Sequence, residues 1–295
     1  MNLGKLGIWT SFDGVTSAAA LDIAKRIEAR GYAALWMPES RGRNVLVFSA
    51  WLLAGTGRLI VAPGIANIYA RDAMAMANAQ RGLNEQSAGR FLLGVGVSHV
   101  PMVNTLRGHV YGKPVATMRA YLEAMRAAPY LAPPPPEPPL TILAALGPRM
   151  LALSAELADG AHPYNVPPEH TVEARRILGP GKLLCPEQMV VLETNPSEAR
   201  RIARVALERY MQLENYVNNW RRLGFSDDDL AGGGSDRFLD ANVAWGDEAA
   251  IRARIQQHFD AGADHVCIQP IRLEGARQLL DERVVKMLAP GGGGR

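Results

Sequence analysis

Cysteine is scarce in this chain: there are two in 295 residues, Cys185 and Cys267, each inside an apolar strand-like stretch, KLLC and HVCIQP. That excludes a disulfide framework and any CxxC redox or zinc motif, and predicts buried, reduced thiols. Long runs of one charge are also absent. The formal net charge is +3, and Lys and Arg are interleaved with Asp and Glu. A nucleic-acid footprint is therefore not expected, although a mild positive bias suits an anionic small molecule. No apolar run reaches the length of a membrane span, and the first residues, MNLGKLGIWTSFDG, lack the apolar core of a signal peptide. A cytoplasmic protein acting on a small molecule, without a membrane or nucleic-acid partner, is the expectation. GxSxG, HExxH and P-loop signatures are missing, and the six histidines show no ligand spacing, so no metal site is expected. Without a metal or a protein nucleophile, difficult chemistry would have to come from a bound organic cofactor.

What the chain does have is a repeated alternation of short apolar runs and amphipathic helical periods. Strands are expected at Leu6–Thr10, Ala33–Met37, Leu59–Ile65, Phe91–Val95, Leu140–Leu146 and Asp159–His162. A seventh spans Lys182–Cys185 with Gln188–Leu192, and an eighth His265–Pro270. Helices are expected at Ser17–Arg30, Val45–Ala54, Ala73–Asn84 behind an Asp72 cap, Pro114–Ala127, Pro148–Leu157 and Pro168–Leu178. Further helices are expected at Pro196–Tyr210, Met211–Leu223, Asp247–Ala261 and Leu273–Leu288. Eight strands separated by helices imply parallel pairing with right-handed crossovers. The resulting fold class is α/β, a (β/α)8 TIM barrel, with a doubly wound open sheet as the alternative. One domain over residues 1–289 is expected, with an insertion around 210–240 and a flexible tail at 290–295.

In such a barrel the loops after the strands carry function. They gather Trp9, Thr10 and Ser11; Pro38, Glu39 and Ser40; Ile65, Ala66, Asn67 and Arg71; Gly96, Val97, Ser98 and His99; Gly147, Pro148 and Arg149; His162 and Tyr164. Three segments stand out. Gly94-Val-Gly96-Val-Ser98-His99 begins like a dinucleotide fingerprint, but His99 replaces its third glycine and no helix follows at once. It reads better as a strand end stripped of side chains, so that a flat ligand can approach the backbone. Ala144–Met150 runs from strand straight into helix, and its amides with Arg149 would favour an anion such as phosphate; a ligand-free tight turn reads equally well. Pro63-Gly64 interrupts a strand that should be buried, the mark of a bulge, a close ligand approach or a barrel bend.

Taken together, LGIWTSFDG, APGIANIYARD, GRFLLGVGVSH, AALGPRML and DGAHPY resemble the luciferase-like flavin-dependent monooxygenase superfamily. Within it, they resemble the coenzyme F420-dependent oxidoreductases of actinobacterial type. The resemblance implies a barrel with a deazaflavin, or alternatively FMN, across its C-terminal mouth, and a homodimer. It implies a non-prolyl cis peptide at Gly64–Ile65 or Ile65–Ala66. It places Glu39 at the ring's polar edge, Asn67 at the pyrimidine end, and Gly96, Val97 and Ser98 along the ring and ribityl chain. Gly147, Pro148, Arg149 and Met150 would hold the phosphate. Some relatives carry His or Asp-His after strand two, where this chain has Glu39-Ser40. The proton donor is therefore open among Glu39, His99 and His162, with Trp9 as a wall of the substrate pocket. The implied activity is hydride transfer between F420 and a small organic substrate, or an FMN-dependent monooxygenation.

Overall fold

The computed structural model describes residues 1–275 and 277–290; the expected tail from residue 291 onward lies outside them. Its strands are β1 (Leu6–Trp9), β2 (Ala34–Met37), β3 (Ile60–Pro63), β4 (Ala66–Asn67), β5 (Leu93–Gly96) and β6 (Thr141–Leu143). They continue as β7 (Gly160–Ala161), β8 (Leu183–Leu184), β9 (Glu187–Leu192), β10 (Val243–Gly246), β11 (Val266–Glu274) and β12 (Arg277–Leu280). One parallel ladder runs β10-β9-β11-β1-β2-β3 and a second runs β4-β5-β6-β7-β8. They join twice. Val61 bridges Phe91. On the far side, Asp264 N–H donates to Leu184 O at 3.0 Å and Cys267 N–H to Pro186 O at 2.9 Å. The ring therefore closes, and the open-sheet and dinucleotide-fold alternatives fall away.

Period-two alternation divides the side chains of each stave. Ala34, Trp36, Ile60, Ala62, Leu92, Ile142, Cys185, Met189 and Cys267 fill the barrel. Ile8, Leu35, Met37, Val61, Leu93, Val95, Leu143, Leu184, Val190 and Ile268 pack outward against the helical layer. Both cysteines are free and buried. No helix among the described residues is long and apolar enough to cross a membrane.

Helices Pro114–Ala127, Pro148–Leu157 and Pro168–Leu178 lie where the sequence places them, each with proline in its first turn. The expected strand Leu59–Ile65 breaks into β3 and β4 around Gly64–Ile65. The expected helix Leu273–Leu288 is a correction. β11 continues to Glu274, the chain turns at Gly275 (φ 59°), and β12 returns antiparallel to it. Only Glu282–Met287 is helical, capped by the buried Asp281. Leu273, Leu280, Val284 and Met287 recur at a helical spacing that masks the hairpin, and the left-handed glycine makes the turn. The glycine loop at Gly232–Asp236 is also shorter than expected, because Ser235 caps a helix over Asp236–Asn242. That helix feeds β10, which sequence periodicity does not reveal and which pairs only with the outer part of β9.

Four buried imidazoles make stability pH-dependent. Burial depresses His162, His170 and His265 to about 4 and His258 to about 3, from an ordinary value of 6.5. Each takes up a proton on unfolding between those limits, so its contribution is complete above pH 6.5 and lost as pH falls towards 4. Glu187, raised by burial to about 8, acts in the opposite sense between 4.5 and 8. The histidines outnumber it, so urea midpoints should fall steeply from pH 6.5 to 4.5. A flat midpoint across that range would contradict this burial.

Candidate active site at the barrel mouth

The C-terminal end of the barrel is organised around the break between β3 and β4. Gly64–Ile65 is a cis peptide, at one of the two expected positions. Glu39 holds the break from both sides. Its own N–H donates to Ile65 O at 3.3 Å. Its carboxylate accepts Asn67 N–H at 2.8 Å, Val45 N–H at 3.4 Å and both terminal nitrogens of Arg71. The Glu39 side chain is 3% exposed and that of Arg71 10%. A carboxylate whose oxygens are all taken up by donors suits a brace rather than the proton donor considered from the sequence. Asn67 is itself buried, and its Oδ1 accepts Tyr69 N–H at 2.9 Å.

The glycines after β3 and within β5 make room for this break. A Cβ on Gly94 would lie 2.1 Å from Pro63 O, and one on Gly96 2.6 Å from the Ile65 side chain and 3.1 Å from Ala144 Cβ. The bare strand end is thus used first by the protein's own backbone, a reason the sequence did not supply. Ile65, Gly96 and Ala144 consequently form one continuous shelf. Val97 and Ser98 continue it half-buried. Ser98 is left-handed (φ 60°), and its carbonyl accepts from Tyr111 Oη at 3.3 Å.

At one end of the shelf, Trp9 Nε1 and His162 Nε2 are buried without hydrogen-bond partners. A Cβ on Gly64 would lie 2.8 Å and 2.9 Å from them. His162 stacks on Trp36 at 4.6 Å, and its Nδ1 donates to Cys185 O at 2.7 Å. Burial holds this ring neutral, at about 4, so at neutral pH Nε2 is a hydrogen-bond acceptor and has no proton to donate. His99 lies apart from this pair. Its Nδ1 meets Asn215 Oδ1 at 3.1 Å, and burial lowers its pKa too.

At the other end the helix Pro148–Leu157 begins. Space over Gly147 is open, and Pro148 and Arg149 are exposed. Met150 departs from expectation. Its side chain is buried and its N–H donates to Gly147 O at 3.1 Å, so it has neither group free for an anion. Pro148 has no amide hydrogen, which leaves Arg149 as the first-turn donor.

The segment between β9 and β10 covers the remaining side of the mouth with Tyr210, Tyr216 and Trp220. Tyr164 Oη meets Tyr210 Oη at 2.8 Å and donates to Gln269 Oε1 at 2.7 Å. Glu187 is fully buried nearby, with Oε1 unpartnered and Oε2 accepting Asn165 N–H at 3.1 Å. Sequence reading missed Glu187, Gln269 and the two insertion tyrosines, and gave Arg71 no role. A lone glutamate in the apolar run EQMVVL was the available signal. Two surface clefts, of about 690 and 320 Å³, contain none of the expected site residues. Several of their charges are paired locally, Arg201 with Glu198, Arg283 with Asp281, and Lys182 with Ala158 O. The mouth, by contrast, holds polar atoms with no protein partner. No group of residues suited to a metal ion occurs among the described residues.

Comparison with known proteins agrees with this architecture. Among curated sequences, an uncharacterized protein of Mycobacterium tuberculosis (strain H37Rv) is 30% identical over 175 residues, 50% of this chain and 51% of that protein. A second protein of that strain, whose name assigns it provisionally to the coenzyme F420-dependent oxidoreductases, is 29% identical over 127 residues, 43% of this chain and 36% of its own. The chain thus spans about half the length of the first of these relatives, and less of the second. Among solved structures, an F420-dependent secondary alcohol dehydrogenase superposes with TM-score 0.71 at 14% identity, covering 91% of this chain and 93% of that one. The coenzyme F420-dependent tetrahydromethanopterin reductase of Methanopyrus kandleri superposes with TM-score 0.70 at 16% identity over 98% of both chains. At these identities the superpositions establish the fold alone. The family model described as luciferase-like monooxygenase matches residues 5–265, and the chain therefore belongs to the luciferase-like monooxygenase family.

Proposed function

We propose that this protein is an F420-dependent oxidoreductase that transfers hydride between the deazaflavin and a small organic molecule. The observation that carries this reading is the shelf Ile65–Gly96–Ala144, which runs from two unpartnered buried polar atoms at Gly64 to the open helix start at Gly147. A flat molecule with an anionic tail fits that sequence of surfaces, apolar contact first and an amide with Arg149 last. When bound, such a cofactor supplies a two-electron hydride carrier. The chain's own residues do the rest. Ile65 and Ala144, which meet over Gly96, would bear the plane, with Val97 and Ser98 beside it. Glu39 and Arg71 fix the backbone beneath it. Tyr210, Tyr216 and Trp220 keep water from the mouth. His162 holds a bare lone pair able to accept a hydrogen bond.

The family's name keeps FMN-dependent monooxygenation as the second reading. Titrating the purified protein with each cofactor separates the two. Saturable quenching of F420 fluorescence, with weak FMN binding, is expected. Tighter FMN binding with oxygen uptake by the reduced flavin would favour the monooxygenase. Binding of neither would overturn both.

A further inference from the structure

We propose that Arg209, at the edge of the barrel mouth, is a specificity-determining residue that recognises a single carboxylate group on the substrate, an assignment that rests on the oxidoreductase reading above.

Arg209 lies between the helix Pro196–Leu207 and the turn that begins at Tyr210. A directed chain of hydrogen bonds sets its position. Oε1 of Gln269 can only accept, so the one hydroxyl hydrogen of Tyr164 goes to it at 2.7 Å. The 2.8 Å contact between the two phenols is then donated by Tyr210. The Tyr210 oxygen in turn accepts from Arg209 Nη2, and the guanidinium lies over the Tyr210 ring, 4.5 Å from its centre. The chain ends on the buried Gln269 of β11, in the barrel wall. Arg209 is therefore tied to the scaffold, unlike a surface arginine on a free stem.

The cation so held is open to an anion. A guanidinium carries five N–H donors, and Tyr210 is the only hydrogen-bond partner of Arg209 among the described residues. It forms no ion pair there, and the groups that feel its charge are phenols and an imidazole: Tyr210, Tyr164 and Tyr216, with His99 from the loop after β5. The acids of the mouth do not answer it. Glu39 is committed to Arg71, and Glu187, pushed up to about 8, keeps its proton at neutral pH. Arg209 is also exposed, so a solute can reach it.

An uncompensated, accessible cation at the rim of an aromatic pocket favours an anionic group, and the planar guanidinium fork matches a carboxylate. One cation matches one negative charge, whereas a phosphate monoester would bring a second charge with no cation to meet it. Placement separates this group from the cofactor tail. The ring of Tyr164 lies 5.1 Å from that of Trp9, so the chain holding Arg209 stands at the Gly64 end of the shelf, and Arg149 stands at the Gly147 end. The apolar body of the substrate would rest against Tyr164 and Tyr216.

The test uses purified full-length protein saturated with F420 and carrying an NMR-active isotope at the arginine side-chain nitrogens. It is titrated with phenylacetate and separately with phenylacetamide, which has nearly the same shape and no charge. Phenylacetate should move the Arg209 Nε–H signal saturably and bind about tenfold tighter than the amide, the order of one charge-assisted contact at an accessible site. Arg209→Gln should remove that preference and leave phenylacetamide binding unchanged. The wild-type comparison decides by itself should Arg209→Gln fold poorly. Equal wild-type affinity for the two probes would overturn the proposal. So would a preference that survives Arg209→Gln, or a phenylacetate titration that moves the Arg149 signal and not that of Arg209. F420 quenching on the same samples keeps the two readings separate. Cofactor binding without a carboxylate preference removes only the assignment of Arg209, whereas no cofactor binding removes the oxidoreductase reading itself.

Discussion

Replacing Gly94 by alanine is expected to destabilise the protein by about 3 kcal/mol or prevent folding, the upper range for one inserted methyl group. The new Cβ would sit 2.1 Å from the backbone oxygen of Pro63. Neither atom belongs to a flexible side chain. β5 pairs with β4 on one side and β6 on the other, so it cannot retreat without losing ladder hydrogen bonds. The strain would fall on Pro63 and on the Gly64–Ile65 break behind it, and cofactor affinity should fall with stability. Gly147→Ala is the control, because nothing lies within 4 Å of its Cβ position. That change trades one helix N-cap residue for a poorer one and should cost under about 1 kcal/mol. Urea denaturation measures both, and equal midpoints would remove the packing role assigned to Gly94.

Glu39→Gln should cost about 3–5 kcal/mol, because it leaves the Arg71 guanidinium buried without its counter-charge. The ion pair is 3% and 10% exposed, so little solvent screening softens that loss. The amide also places donor hydrogens against some of the four donors that now meet the carboxylate. Loss of the Asn67 contact would release one side of the break, and cofactor affinity and turnover should decline together. Adding Arg71→Met should restore part of the stability, since the uncompensated charge is then gone. A Glu39→Gln protein with wild-type stability and affinity but abolished turnover would instead make Glu39 the proton-transferring group.

The barrel was legible in the sequence because each stave alternates in and out and each helix carries strong start signals, such as Asp72, Pro114 and Pro168. The hairpin β11–β12 was not, since its apolar spacing fits two periods and only a glycine conformation separates them. The mouth was legible as a list of residues, because strand ends are easily placed. Their roles were not. Glu39 looks like an acid until Arg71, 32 positions away, is found on it. His162 looks like any lone histidine until the Cys185 carbonyl fixes its tautomer. Gly94 and Gly96 look like a ligand cradle until Pro63 and Ile65 are seen over them. In each case the deciding partner comes from another stave, and sequence periodicity carries no information about pairs across a closed ring.

A crystal structure of the protein grown with oxidised F420 would show where the cofactor binds. The tricyclic plane should lie against Ile65 and Ala144, with the phosphate within hydrogen-bond reach of the Arg149 amide. Ordered cofactor bound elsewhere, or a ring whose phosphate points away from Gly147, would contradict this placement.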